Sequence, residues 1–151
     1  MKKNLSQVFM YGSNLDRERL LNRVLSWNGQ FQKAYLTGYE LRFNKRLRRG
    51  GVAANIALHP TRRVWGITVR LNDRDLNSMD RCEGHPYHYK RQQLKLFLEN
   101  GSETSAYVYI AQPEHILEGK KPSLNYFQYV INGATNCGLP SEYVRAIEKL
   151  G

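Results

Sequence analysis

The stretch Val64-Trp65-Gly66-Ile67-Thr68-Val69-Arg70-Leu71-Asn72 runs straight into Asp73-Arg74-Asp75-Leu76-Asn77-Ser78-Met79-Asp80-Arg81-Cys82-Glu83-Gly84, and its apolar period changes midway. Trp65, Ile67, Val69 and Leu71 alternate with other residues, the pattern of a half-buried strand. From Asp73 the spacing becomes helical: Leu76, Met79 and Glu83 share one stripe, and Gly84 stands where the helix should stop. A strand that gives way directly to a helix sets the class, and the flanking segments extend it.

Upstream, Val52, Ala54, Ile56 and Leu58 alternate, as do Leu41 and Phe43, so three half-buried strands are expected in succession. Between the first two, Lys45-Arg46-Leu47-Arg48-Arg49-Gly50-Gly51 has the composition of a polar hairpin tip. Earlier still, residues 7–11 form a short apolar run that ends at Gly12, and residues 15–25 carry Leu20, Leu21, Val24 and Leu25 at helical spacing. Ser13 or Asn14 is the expected N-cap, with Asp16 and Glu18 in the first turn, where negative charge is favoured.

Downstream, residues 89–98 alternate through Leu94, Leu96 and Leu98, and residues 105–111 follow across Asn100-Gly101, which predicts a hairpin. After Pro122-Ser123 a helix is expected through Tyr126, Phe127, Val130, Ile131 and Ala134 with its stop at Gly138, then a short helix from Ser141 through Val144, Ile147 and Leu150. The expected architecture is α+β: a small, mostly antiparallel β-barrel with flanking helices. Residues 1–151 show no repeat or linker and are expected to form a single domain.

Composition narrows the classes. With 41% hydrophobic, 24% charged and 11% aromatic residues in 151, the chain can bury a core without disulfide staples. Cys82 and Cys137 suggest reduced thiols. The first seven residues carry two lysines but no apolar stretch long enough for a signal peptide, and no segment approaches a membrane span, so a cytoplasmic protein with no membrane partner is expected. The formal charge of +10 attracts anions of any kind, from RNA to small acidic metabolites.

Glu83 is the most informative single residue, because its stripe should face the core. Burial and the negative end of the helix dipole would both raise its pKa, which suits a general acid/base near neutral pH; a helix-terminal Glu that snorkels to solvent fits the same spacing. Tyr11-Gly12-Ser13-Asn14 sits between strand and helix, where free N–H groups can meet a carboxylate or an oxyanion, although a plain turn with a cap has the same form. Cys82, His85 and His88 have C-x-x-H-x-x-H spacing, yet Pro86 breaks the helix that would align them and no fourth ligand is near, so no metal is expected. Phosphate-loop, dinucleotide and serine-elbow motifs do not occur, and no cofactor is expected.

Taken in order, the motifs resemble the gamma-glutamylcyclotransferase-like family. Phe9-Met10-Tyr11-Gly12-Ser13-Asn14-Leu15 is similar to its Y-G-S-N signature, and Val64-Trp65-Gly66-Ile67 with residues 76–84 to its V-W-G and L-x-x-L-D-x-x-E-G segments. Pro122-Ser123-Leu124-Asn125-Tyr126 resembles P-S-x-x-Y, and Gly133-Ala134 through Gly138-Leu139-Pro140-Ser141-Glu142-Tyr143 resembles the G-A-x-x-x-G-L-P-x-x-Y ending. The resemblance implies a small barrel with helices and a cofactor-free, cyclising acyl transfer that yields 5-oxoproline. It implies that Glu83 is the catalytic acid/base, and that Val8, Phe9, Met10, Tyr11, Gly12, Ser13, Asn14 and Tyr126 bind substrate. Tyr89 matches a tyrosine that opens the strand after the E-G pair, across a connection one residue shorter than in some relatives.

The expected partner is a small gamma-glutamyl compound whose leaving amine is unspecified: an amino acid, a dipeptide as in glutathione, a lysine side chain or a biosynthetic intermediate. A homodimer is left open. The competing class is a basic nucleic-acid or anion-binding module built on Lys45, Arg46, Arg48 and Arg49 with tyrosines as stacking surfaces, but nucleic acid is not expected as a partner. Glu83 discriminates, since a pure binding module has no use for an acid on a core-facing stripe.

Overall fold

In the computed structural model, which describes residues 4–151, Asn72 is the hinge between the two periods: its side chain accepts the N–H of Asp75 at 2.8 Å, so α2 (Asp73–Glu83) starts directly on the end of β3 (Val52–Asn72). Gly84 stops α2 in the left-handed conformation (φ 66°), and its N–H turns back to the carbonyls of Asp80 and Arg81. The N-terminal lysines Lys2 and Lys3 lie outside the described residues.

Five strands, β1 (Leu5–Met10), β2 (Gln32–Arg46), β3, β4 (Tyr89–Leu98) and β5 (Glu103–Ala111), close a barrel in the order β1-β3-β2-β4-β5. Neighbours are antiparallel except at the closure, where β1 and β5 run parallel with Val8 opposite Tyr107 and Phe9 opposite Val108. Every strand has two neighbours, although β2 meets β4 only where Ala34 lies opposite Leu98 and Tyr35 opposite Phe97. The α+β barrel with helices expected from the sequence is the fold observed, and Phe9, Ile56, Ile67, Leu71 and Leu96 are buried within it alongside Met79 of α2.

Two expectations need correction. The separate strands expected around Val52–Leu58 and Trp65–Leu71 are one strand of 21 residues, both parts pairing with β2. Residues 59–62 leave the ladder opposite Gly38 (φ 84°): Pro60 has no N–H to give, and the N–H groups of Thr61 and Arg62 turn instead to Nδ1 of His59. The first helix is also shorter than expected. Asp16, not Ser13 or Asn14, caps α1 (Arg17–Arg23) by accepting the N–H of Arg19 at 3.0 Å, and Ser13–Leu15 form a single 3-10 turn. The side chains of Ser13 and Asn14 are thereby released from capping.

After β5, Ser123 caps α3 (Leu124–Asn136) and α4 (Ser141–Glu148) follows. Helix α3 lies against the 3-10 turn through Gly133, where any Cβ would collide with the backbone of Leu15 and Asp16. Among the described residues, no helix is long and apolar enough to cross a membrane.

Gly133→Ala should therefore lower stability although alanine is the better helix former. Overpacking costs about 1–3 kcal/mol, against a propensity gain of about 1 kcal/mol. Denaturant unfolding checks this, and a variant as stable as the parent would mean that α3 can withdraw from the turn freely.

Candidate active site

At one end of the barrel, a cavity of about 360 Å³ opens between the end of β1, the 3-10 turn, the C-terminus of α2 and the β2–β3 tip. Phe9, Met10, Tyr11, Gly12, Ser13, Asn14, Glu83, Tyr89 and Tyr126 all line it, so nine of the ten residues expected at the site come together. Val8 does not line the cavity; it is fully buried in the barrel core one residue behind Phe9.

Glu83 ends α2, and the stripe it shares with Leu76 and Met79 turns it towards this cavity rather than into the sealed core; its side chain keeps 16% of its surface exposed. Its Oε1 accepts the Nδ2–H of Asn14 at 3.0 Å, and the guanidinium of Arg23 stands 3.9 Å away. Asn14 is held in turn by Arg23, whose Nη1 donates to the Asn14 Oδ1 at 3.0 Å. Burial raises the carboxyl pKa above its ordinary value, and Arg23, the Asn14 hydrogen bond, Arg19 and Lys45 pull it back in decreasing order. The outcome is a carboxyl more readily protonated than one in water, with cations close enough to hold its anionic form.

The opposite wall is fixed by tyrosines. The peptide of Ala54 on β3 is gripped from both sides: its N–H donates to the Tyr126 hydroxyl at 2.9 Å and its carbonyl accepts the Tyr89 hydroxyl at 2.6 Å. Gly12 passes so near that a Cβ on it would lie 2.9 Å from the Ala54 Cβ, which is why this position takes no side chain. Tyr11 donates to the carbonyl of Tyr109, and Tyr109 to Asp80 Oδ1 at 2.6 Å, a carboxylate also bound by Arg91 Nε. Burial is the main cause that raises the pKa of Tyr11, Tyr89, Tyr109 and Tyr126, so all four stay neutral at physiological pH. The N–H groups of Ser13 and Asn14 take no backbone acceptor among the described residues and remain open to a ligand.

Sequence reasoning missed Arg19, Arg23 and Lys45. Arg19 and Arg23 are spaced four apart on α1, a signal that was legible; Arg19 Nε donates to Ser13 Oγ at 3.1 Å and its guanidinium lies over Tyr129. Lys45 is a correction: expected in a solvated tip, it is 5% exposed and lines the cavity. A β-bulge aims it there, since Phe43 pairs with Ala54 and Lys45 with Ala53, which leaves Asn44 as the extra residue. Asn44 is pinned by Asn55 and Glu118. Of the four cations of the proposed basic surface, Lys45 is drawn into the cavity and Arg48 lines it from the exposed tip, and Tyr11, Tyr89 and Tyr109 are buried rather than available for stacking.

Cys82, His85 and His88 have separate roles: Cys82 is exposed, His85 Nδ1 accepts the N–H of Arg91, and His88 Nδ1 meets Lys45. No group of three or more His, Cys, Asp and Glu able to hold a metal ion occurs among the described residues.

Comparison with known proteins agrees with this geometry. The family described as gamma-glutamyl cyclotransferase, AIG2-like, matches residues 8–128. Gamma-glutamylcyclotransferase of Homo sapiens is 33% identical over 150 residues, covering 93% of this chain and 77% of that protein, and that of Mus musculus is 30% identical over 148 residues with the same coverage. A solved structure of a gamma-glutamyl cyclotransferase superposes with a TM-score of 0.86 at 29% identity, covering 96% of this chain and 87% of that one. The chain belongs to the gamma-glutamyl cyclotransferase family.

The raised pKa of Glu83 gives a signed expectation for stability. A carboxyl that folding makes easier to protonate costs stability when charged; the cost is absent at low pH and grows as pH rises from the ordinary value of 4.5 through the raised one. Glu83→Gln should then melt at or above the parent temperature at neutral pH, and that margin should shrink in acid. A variant clearly less stable than the parent at neutral pH would show that the Arg23 and Asn14 contacts outweigh desolvation.

Proposed function

We propose that this chain cyclises small gamma-glutamyl amides to 5-oxoproline and a free amine, with Glu83 carrying the proton between the two nitrogens. The observation that carries this reading is the partly desolvated Glu83 carboxyl, oriented by Asn14 on the same cavity wall as the open N–H groups of Ser13 and Asn14.

The reaction needs no outside nucleophile. The substrate's α-amine attacks its own γ-carbonyl, a five-membered lactam closes, and the bond to the attached amine breaks. Before attack the α-ammonium must give up a proton, the leaving nitrogen must receive one for its bond to break, and the attacking nitrogen sheds a further proton as the lactam forms, which the departing amine, the stronger base, takes up. Glu83, ionised beside Arg23, accepts the first; its raised pKa makes it a competent donor of the second. Over the tetrahedral stage, negative charge on the former carbonyl oxygen is met by the N–H groups of the Tyr11–Asn14 loop. Tyr11, Tyr89 and Tyr126, held neutral, shape the wall without competing for the proton.

On this reading the side chain of Asn14 binds no substrate atom; it positions the catalytic carboxyl. The chain acts as one domain, since one buried cluster runs from β1 to α4, and it works in the cytoplasm, in keeping with two cysteines that form no disulfide.

The test is 5-oxoproline release from a panel of gamma-glutamyl amides, run on the parent and on Glu83→Gln after dialysis against a chelator. The parent should turn over without added metal. The variant should fall by about a hundred- to ten-thousand-fold while melting normally. Activity within about threefold of the parent, well short of an acid/base contribution, would remove Glu83 from the mechanism.

A further inference from the structure

The cyclisation chemistry leaves one feature of the cavity unused. Lysine is almost never fully buried without a partner, yet Lys45 is 5% exposed and forms no ion pair among the described residues. Of its three N–H donors one is satisfied, by Nδ1 of His88 at 3.1 Å, and the ring of Tyr89 lies 5.6 Å from the ammonium. His88 is itself packed against His115, with ring centroids 4.1 Å apart, and burial and Lys45 both lower its pKa, so it serves as a neutral acceptor. Two donors of a buried cation are left facing a cavity.

Of the other cations that line the cavity, Arg48 stands exposed at the tip and Arg81 donates to Ser78 Oγ, and the two on α1 are occupied. Arg23 serves Asn14 and Glu83, and Arg19 serves Ser13 and Tyr129. Lys45 is also the weakest of the influences that draw the Glu83 pKa down, so tuning the acid does not account for it. Its position is the third clue. It stands on β2 opposite Ala53, next to Ala54, the residue that Gly12 of the loop approaches, so it faces the Tyr11–Asn14 loop from the far side of Ala53 and Ala54. A glutamyl head held by the Tyr11–Asn14 loop and Glu83 would reach in this direction with the far side of its scissile amide.

We propose that Lys45 is the residue that determines specificity for the leaving group, by binding a carboxylate carried on the leaving amine. This rests on the cyclotransferase reading. The preferred substrates are then gamma-glutamyl amides whose departing portion bears a carboxylate near the scissile nitrogen, and simple gamma-glutamyl alkylamines or neutral amides are poor ones.

The experiment compares gamma-glutamyl-alanine with gamma-glutamyl-alaninamide, which share a shape and differ in that charge, on the parent, Lys45→Met and Lys45→Arg. The parent should favour the acid by about ten- to a hundredfold in kcat/KM, the range of one charge-assisted hydrogen bond. Lys45→Met should bring that ratio close to one through KM, and Lys45→Arg should keep part of it. The pH profile set by Glu83 should hold its position in Lys45→Arg and rise at most slightly in Lys45→Met, since Lys45 is the weakest of the influences that draw the Glu83 pKa down. Equal turnover of both substrates by the parent would overturn the inference alone, as would a Met variant that loses kcat equally on both and shifts the pH profile. Failure of the parent to release 5-oxoproline from either would overturn the cyclotransferase reading and this inference together. Should Lys45→Met not fold by circular dichroism, Lys45→Gln replaces it under the same criteria.

Discussion

The side-chain amide of Asn14 is the joint on which the cavity depends. It takes a hydrogen bond from Arg23 on one side and gives one to Glu83 on the other, each at 3.0 Å, with the sulfur of Met79 behind it. An amide can do this because it is donor and acceptor at once; an aspartate here would face Glu83 with like charge, and a leucine would leave Arg23 and Glu83 to find each other across 3.9 Å. Asn14 can reach α2 only because Asp16 has taken over the capping of α1. The local rule that would make Asn14 a cap gives way to a neighbour two residues on, and a side chain is freed for a longer-range contact.

Much of the fold was legible because it rests on local period. Helix α2 was bounded correctly at both ends, by the change of spacing at Asp73 and by Gly84, and the Asn100-Gly101 hairpin joins β4 and β5 as expected. What escaped was set at a distance. Whether residues 52–72 form one strand or two is decided by β2 pairing with both halves, and the outward excursion at Pro60 looks from sequence like an end. The site was legible where it follows the chain, in the loop of residues 11–14 and the end of α2. Lys45 was not, because period-two reasoning assumes an unbroken ladder and the bulge at Asn44 breaks it; what holds that bulge is Asn55, eleven residues on, and Glu118 in the loop after β5.

The chain's excess of positive charge is unevenly employed. Arg42, Arg62, Lys33 and Lys95 answer carboxylates on the barrel exterior, pairs worth about 0–1 kcal/mol each at the surface. Arg91 is different: it grips both oxygens of Asp80, which also takes the Tyr109 hydroxyl, and so ties the middle of α2 to the β4–β5 hairpin. Through Tyr11 and the Tyr109 carbonyl, that tie reaches the end of β1. The orientation of Glu83 is therefore backed by a polar chain that runs through α2, the β4–β5 hairpin and the end of β1.

The seam between β1 and β5 is short, two residue pairs as at β2–β4, and is reinforced by Gln7 donating to Thr104 and to the Ser105 carbonyl. Its two sides lie nearly a hundred residues apart in sequence, so this contact must wait for almost the whole chain, whereas β2–β3 and β4–β5 are joined by short turns. Loop entropy makes such a closure late in folding. Tyr11 lies one residue past β1 and leans on β5, so the floor of the cavity is assembled by the last event rather than the first. A nascent or cut chain lacking β5 could possess the loop, α2 and the catalytic acid and still have no floor to hold a substrate against them.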